Sequence, residues 1–156
     1  MQTALTRGFA IALGALFIGA AAQAAEVSAK GTVTYATTSE VSDYNAGAKL
    51  VRTTFKGVVL ADDPKSSLNN SLQDCTGTTL VNKKGEQMGG GGYCAGVDPE
   101  GDIWWISWKS NAKGSDWSFI GGTGKYKDAK GGGKTENVLQ TADRAVIKWD
   151  GSWSAK

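Results

Sequence analysis

The chain contains no histidine, and this absence removes several kinds of active site at once. Nucleophile pairs in which histidine activates serine or cysteine, histidine metal sites and histidine proton shuttles all require an imidazole. Any acid–base chemistry would therefore depend on Asp, Glu, Lys, Tyr or Cys side chains. No metal ligand set is recognisable either, and we expect neither a metal nor a cofactor.

Cysteine is nearly absent as well, because the chain has only Cys75 and Cys94. In an exported protein a single pair of cysteines most often forms a disulfide. Such a bridge would add about 3 kcal/mol to the free energy of unfolding by restricting the unfolded chain. A reactive thiol is the alternative interpretation, and nothing basic lies beside either cysteine in sequence to lower its pKa.

A strong charge of either sign is also missing. The chain has 17 Lys and Arg residues against 15 Asp and Glu residues. Such a balance gives no electrostatic reason to expect a nucleic acid or an anionic membrane surface as a partner.

One long apolar run is present, and it lies at the N-terminus. Arg7 is followed by a 14-residue stretch of Ala, Leu, Ile, Phe and Gly from Phe9 to Ala22, and then by the small residues of Ala22-Gln23-Ala24. This is the layout of a secretory signal peptide, and the run is shorter than the roughly 20 residues of a membrane span. We predict a signal peptide over 1–24, a single domain over 25–156, and a periplasmic or secreted protein without a membrane span after cleavage.

Glycine is in excess, with 22 residues, about twice the usual share. The stretch "SFIGGTGKYKDAKGGGKTEN" resembles the end of a phosphate-binding loop at Gly133-Lys134-Thr135, but the first glycine of that motif would fall on Asp128. The segments that follow read as strands, whereas a phosphate loop opens a helix. We therefore interpret these glycines as turns and strand bends and not as a nucleotide site.

The rest of the chain reads as short strands separated by turns. In "AKLVRTTFKGVVLAD", Val51, Thr53, Phe55 and Val59 alternate with polar residues, as a strand requires. About eight such segments occur, and none shows a convincing helical period over 10 residues. Eight antiparallel strands must hide their edges, which a closed barrel does. The sequence predicts an all-β fold, an eight-stranded antiparallel barrel.

The stretch Trp117-Ser118-Phe119-Ile120-Gly121-Gly122-Thr123-Gly124-Lys125-Tyr126, followed by Gly131-Gly132-Gly133, resembles the allene oxide cyclase-like and dirigent-like barrels. The preceding "YCAGVDPEGDIWWISW" is similar to the hairpin found there in small exported bacterial members. The resemblance covers roughly residues 93–150. It implies a calycin-type barrel whose interior holds a small apolar molecule in some members, and oligomers among dirigent-like relatives. The plant cyclases isomerise an unsaturated fatty-acid epoxide, but no catalytic residue of theirs matches a position here.

Six tryptophans are the main indication of function. Trp104, Ile106 and Trp108 share one face of their strand and Trp105 lies on the other, so either Trp105 or the other two tryptophans must face outward. The aromatic residues could form a packed core with a covering layer, line a ligand cavity, or provide an exposed platform for sugars. If Trp104, Trp108 and Trp149 all point inward, little cavity is expected to remain. The candidate ligand-binding residues are Trp104, Trp108, Trp117, Trp149 and Tyr35.

Acidic residues offer one catalytic candidate. Glu136 lies near the start of a predicted strand, and an inward glutamate would have a raised pKa suited to an isomerase base, although an outward position is the other alternative. The acids of "DPEGD" over 98–102 are interpreted as a solvated turn. Three functions stay open: binding of a small, largely apolar molecule, an isomerase or cyclase acting on an unsaturated lipid-like substrate, and an envelope interaction or glycan-binding module using exposed Trp.

We predict cleavage after Ala24, because the charge, apolar run and small-residue pair match what signal peptidase requires. N-terminal sequencing of protein recovered from the periplasm or medium should begin at Ala25. Full-mass protein retained in the cytoplasm would contradict the prediction.

Overall fold

A computed structural model describes residues 25–111 and 114–155, so the predicted signal peptide lies outside the described residues. The described chain is almost entirely β-structure, with two short 3-10 turns at Asn45–Gly47 and Gly124–Tyr126. Within these ranges no helix has the length and apolar character needed to cross a membrane. The eight strands are β1 (Ala25–Asp43), β2 (Lys49–Ala61), β3 (Ser71–Val81), β4 (Gln87–Val97), β5 (Ile103–Asn111), β6 (Gly114–Gly122), β7 (Lys130–Gln140) and β8 (Arg144–Ala155).

The strands form a closed antiparallel barrel in simple chain order. Each strand pairs with the next, and β8 returns to pair with β1, where Val33 faces both Val59 of β2 and Ile147 of β8. Closure gives every strand a partner on both sides, which is how a sheet of this size protects its edges. The predicted fold class, an eight-stranded antiparallel barrel, is confirmed.

Side chains alternate between the barrel interior and the solvent, as the sequence pattern predicts. On β2, Thr53, Phe55 and Val59 are partly or fully buried, whereas Thr54 and Lys56 are exposed. This period of two places the apolar face of every strand toward a common interior.

An aromatic cluster fills one end of the barrel. Phe119 is its centre, with ring centroids 5.5 Å from Trp117, 5.6 Å from Trp153 and 6.2 Å from the stacked ring of Tyr126. Tyr126 and Trp153 are almost completely buried. Burial of several large aromatic side chains is the main source of stability in a small core.

The loops at the same end close the barrel. The β2–β3 loop buries Leu68 beneath the strands, and the hydroxyl of Tyr126, from the β6–β7 connection, donates a hydrogen bond of 2.9 Å to the carbonyl oxygen of Ser67. We call this the closed end. The opposite end carries the β1–β2, β3–β4 and β7–β8 connections.

The "DPEGD" turn at the closed end differs from the sequence interpretation of a solvated turn. The Asp98 side chain is only 1% exposed, and its Oδ2 lies 2.6 Å from Nζ of Lys125. Lys125 Nζ also lies 2.7 Å from a carboxylate oxygen of Glu100 and 3.7 Å from one of Asp102, so the lysine of "GGTGK" contacts three acids of the neighbouring turn. The turn is only partly solvated because it packs against the β6–β7 connection, a contact that the chain order alone does not reveal.

The titration of Asp98 reflects this environment. Burial by itself would raise the pKa of the Asp98 carboxyl, but the hydrogen bonds from Lys125 and from the backbone N–H of Asp102 outweigh it and hold the pKa below its usual value. The folded protein therefore stabilises the carboxylate form of Asp98 relative to the unfolded chain. Its contribution to stability is present above the unfolded pKa of about 4 and is lost as the pH falls through the lower folded pKa.

Replacing Lys125 with Met should lower the free energy of unfolding by about 1–3 kcal/mol near neutral pH, because a buried carboxylate loses its partner. The difference from wild type should shrink as the pH falls through the lowered pKa of Asp98, because the carboxyl group is then protonated in both proteins. Urea unfolding across pH provides the measurement, and the double variant D98N/K125M is the control expected to recover part of the loss. Equal stability of wild type and K125M at neutral pH would contradict the role of this ion pair.

Candidate functional site

A cavity of about 340 Å³ occupies the barrel interior above the closed end. Its deep part is lined by apolar side chains such as Val33, Val59 and Leu68, and its mouth by polar side chains such as Gln87 and Asn137. The mouth lies at the end of the barrel opposite the buried Leu68 loop. A partly open, mainly apolar cavity of this volume is in the range that small molecules occupy in proteins.

All five residues predicted to bind ligand line this cavity: Trp104, Trp108, Trp117, Trp149 and Tyr35. Trp108 is half-buried and the other four are buried. Their shared position comes from the inward faces of β1, β5, β6 and β8. Their role in binding stays a prediction.

The cavity exists because the large rings lie against glycines in the barrel wall. The indole of Trp104 covers Gly96, and the indole of Trp108 covers Gly77 and Gly92, so closely that a Cβ atom on any of these glycines would collide with the ring. The expectation that three inward indoles leave little room was therefore wrong. For Trp104 and Trp108 the glycines give the reason, because these rings occupy the volume that side chains of the wall would take.

Charged side chains are absent from the described part of the cavity wall. Every described lining residue is apolar or carries a neutral hydroxyl, amide, indole or sulfur group. Across residues 25–111 and 114–155, no group of three or more Cys, Asp or Glu side chains could hold a metal ion. A wall of this kind can bind a neutral molecule, whereas an ion inside it would lose its hydration without gaining a partner.

The catalytic candidate Glu136 lies outside the cavity. It is an exposed residue of β7, and its neighbour across the strand pair is Lys148 of β8. An isomerase base would have to face the interior, and the inward residues of this segment are the neutral Thr135 and Asn137. Among the residues that the structure describes, no carboxylate lines the cavity, so the isomerase hypothesis has no candidate base there.

A polar node, formed by Tyr35, Gln73 and the Cys75–Cys94 disulfide, interrupts the apolar wall. The disulfide joins directly opposite residues of β3 and β4, which confirms the predicted bridge. The Tyr35 hydroxyl lies 3.7 Å from Cys75 Sγ, and the Gln73 side-chain amide donates to the same sulfur at 3.4 Å. Burial raises the pKa of Tyr35, so its hydroxyl stays protonated at physiological pH.

Sequence reasoning missed Gln73 as a lining residue and did not place the disulfide in the cavity. The signal that could have found Gln73 is its spacing of two from Cys75, because residues two apart share a face of a strand. Gln73 is 5% exposed, which is unusual for glutamine.

Trp105 is the tryptophan that faces outward, and it is 40% exposed. It lies in a shallow groove of the outer wall with Tyr93, Ala95 and Ile120. This placement resolves the two alternatives for the "WWISW" segment, because Trp104 and Trp108 point inward and Trp105 points to solvent.

Comparison with known proteins supports the fold. Neither a protein-family model nor a curated protein sequence matches this chain. Among solved structures, the pterocarpan synthase dirigent protein GePTS1 is similar with a TM-score of 0.56 and 13% identity, over 94% of this chain and 98% of that chain. The pterocarpan synthase dirigent protein PsPTS1 is similar with a TM-score of 0.54 and 10% identity, over 86% and 96%. The likeness shows a dirigent-like barrel fold.

Replacing Gly96 with Ala tests whether the Trp104 indole can keep its position only when the wall residue behind it is glycine. The new methyl group would push the Trp104 ring toward the cavity, and overpacking of this kind costs about 1–3 kcal/mol. Gly89, on the same strand, has open space around it, so Gly89→Ala is the matched control and should change stability by less than about 0.5 kcal/mol. Chemical unfolding measures both variants.

The double variant G96A/W104F should recover part of the stability lost in G96A, because phenylalanine is smaller than tryptophan. Equal stability of G96A and G89A would show that the Trp104 ring does not need the glycine.

Proposed function

We propose that this protein is an exported barrel that binds one small, largely apolar molecule in its interior cavity. The observation that carries the proposal is a partly open cavity of about 340 Å³ with aromatic and aliphatic walls and no charged side chain among the described lining residues. Such a wall favours uncharged ligands through burial of apolar surface. The dirigent-like fold is consistent with a small-molecule role, since the solved neighbours are described as pterocarpan synthases.

Export is part of the proposal and rests on two features. One is the signal-like N-terminal sequence over 1–24, and the other is the buried Cys75–Cys94 disulfide, which forms and persists in oxidising compartments. Binding without acid–base catalysis is favoured over an isomerase, because Glu136 is exposed on the outer wall.

A second candidate function uses the outer groove around Trp105, where Tyr93 and Ile120 are also exposed. Exposed aromatic side chains can stack on sugar rings or on another protein. Titration of the protein with oligosaccharides, with Trp105→Ala as the variant, separates this role from cavity binding.

Partly filling the cavity should weaken binding of an apolar probe. Thr53 faces the cavity and its neighbour Thr54 faces solvent, so T53F and T54F make the same chemical change on opposite faces of β2. We expect T53F to weaken binding of diphenylmethane at least about tenfold, because the new ring occupies the space of the ligand, whereas T54F binds as wild type does. Isothermal titration calorimetry gives both affinities. Equal binding by T53F and wild type would place the probe elsewhere and count against the cavity.

A further inference from the structure

The polar node is the place in the described cavity wall where two buried hydrogen-bond donors share one weak acceptor. The buried indole N–H groups of Trp104 and Trp149, elsewhere in the same wall, have no acceptor among the described residues. Tyr35 and Gln73 are both more than nine-tenths buried, and both line the cavity. The interaction that each makes there is with Cys75 Sγ, at 3.7 and 3.4 Å. Sulfur accepts hydrogen bonds weakly, so both donors keep most of their capacity to bind an oxygen atom.

Leaving such donors poorly paired has a free-energy cost that a ligand can remove. A buried hydroxyl or amide without a good partner is unfavourable relative to water. An oxygen acceptor on the ligand would satisfy the Tyr35 hydroxyl and the Gln73 amide together. An apolar ligand without such an oxygen would leave both donors with the weakly accepting sulfur as their partner.

The surroundings of the node exclude an ionised acceptor. No described residue that lines the cavity carries a positive charge, so a carboxylate or phosphate would be buried without a counter-ion. The free-energy cost of burying an unpaired ion exceeds the stabilisation that hydrogen bonds from two neutral donors provide. A carbonyl oxygen accepts both hydrogen bonds and carries no net charge.

An aromatic wall beside the node provides a surface for the body of the ligand. The Tyr35 ring lies edge-on to Phe55 with centroids 5.4 Å apart, and Phe55 lies edge-on to Trp108 at 6.4 Å. These rings favour a planar aromatic or unsaturated hydrocarbon next to the carbonyl group.

We propose that the ligand is an uncharged molecule with an aromatic or hydrocarbon body and a carbonyl oxygen, and that Tyr35 and Gln73 recognise this oxygen. The inference rests on the proposed binding function and adds the chemical class of the ligand and the two residues that select it. The Tyr35 O–H and the Gln73 N–H donate to the oxygen, and the disulfide forms the wall behind them.

The test uses three probes that share a two-ring body. Benzophenone has a carbonyl group, diphenylmethane has a methylene group in its place, and 4-benzoylbenzoate adds a carboxylate. With wild-type protein, calorimetry should show benzophenone binding about tenfold more tightly than diphenylmethane, as expected for new hydrogen bonds to buried donors. The carboxylate probe should bind more weakly than both.

Tyr35→Phe and Gln73→Met remove the donors while nearly preserving the size of each side chain. Each variant should lose most of the preference for benzophenone and keep the affinity for diphenylmethane. Tyr44→Phe is the matched control, since Tyr44 is exposed and lines neither the cavity nor the outer groove, and it should behave as wild type does. Isotope-edited infrared spectra should show the carbonyl band of bound benzophenone at lower frequency in wild type than in Tyr35→Phe, which a purely structural role of the hydroxyl would not produce.

The outcomes separate the two proposals. Equal affinity of wild type for benzophenone and diphenylmethane would overturn recognition by the polar node and leave cavity binding intact. Binding of 4-benzoylbenzoate as tightly as benzophenone would overturn the requirement for a neutral ligand. If neither neutral probe binds, the proposed function fails, and this inference fails with it.

Discussion

The contact between inward indoles and wall glycines is the constraint on which the rest of this structure depends. An eight-stranded barrel has an interior just wide enough to be filled by side chains or to hold one small ligand. Trp104 and Trp108 would fill much of it if the wall behind them carried side chains. Because Gly96, Gly77 and Gly92 carry none, the rings recede into the wall and the space between them stays open. The glycine excess and the tryptophan excess are therefore two parts of one arrangement.

The two ends of the barrel differ in packing and in polarity. At the closed end, the cluster around Phe119 and the ion pair between Asp98 and Lys125 join three loops into a floor. At the other end, Gln87 and Asn137 surround an open mouth with neutral polar groups. The cavity is therefore closed at one end and open at the other. Charged residues of the described strands do not line it. Selection by polarity then depends on the few neutral donors inside, of which Tyr35 and Gln73 are the buried pair at the disulfide.

The barrel and most of its inward face could be predicted from the sequence, because both depend on local patterns. Alternation along β2 identified Thr53, Phe55 and Val59 as one face, and the single pair of cysteines predicted the bridge. The pattern could not say which face of the "WWISW" segment is inward, since both faces carry tryptophan. It also missed the burial of Asp98, because its partner Lys125 comes from a loop more than 20 residues away and meets it only after the closed end has assembled.

By itself the sequence determined an all-β chain of eight strands, the disulfide pair, the absence of histidine chemistry and the set of aromatic residues that could line an interior. These properties follow from composition and from a period of two, which are local. Only the tertiary structure decided that the interior is hollow, that Gln73 and the disulfide lie beside Tyr35, and that Glu136 faces solvent. Those outcomes depend on the register between strands and on which ring lies over which glycine. The alternating pattern and the turns restrict the register of each strand pair. Which ring lies over which glycine is set by contacts between residues distant in sequence, and a local pattern does not encode them.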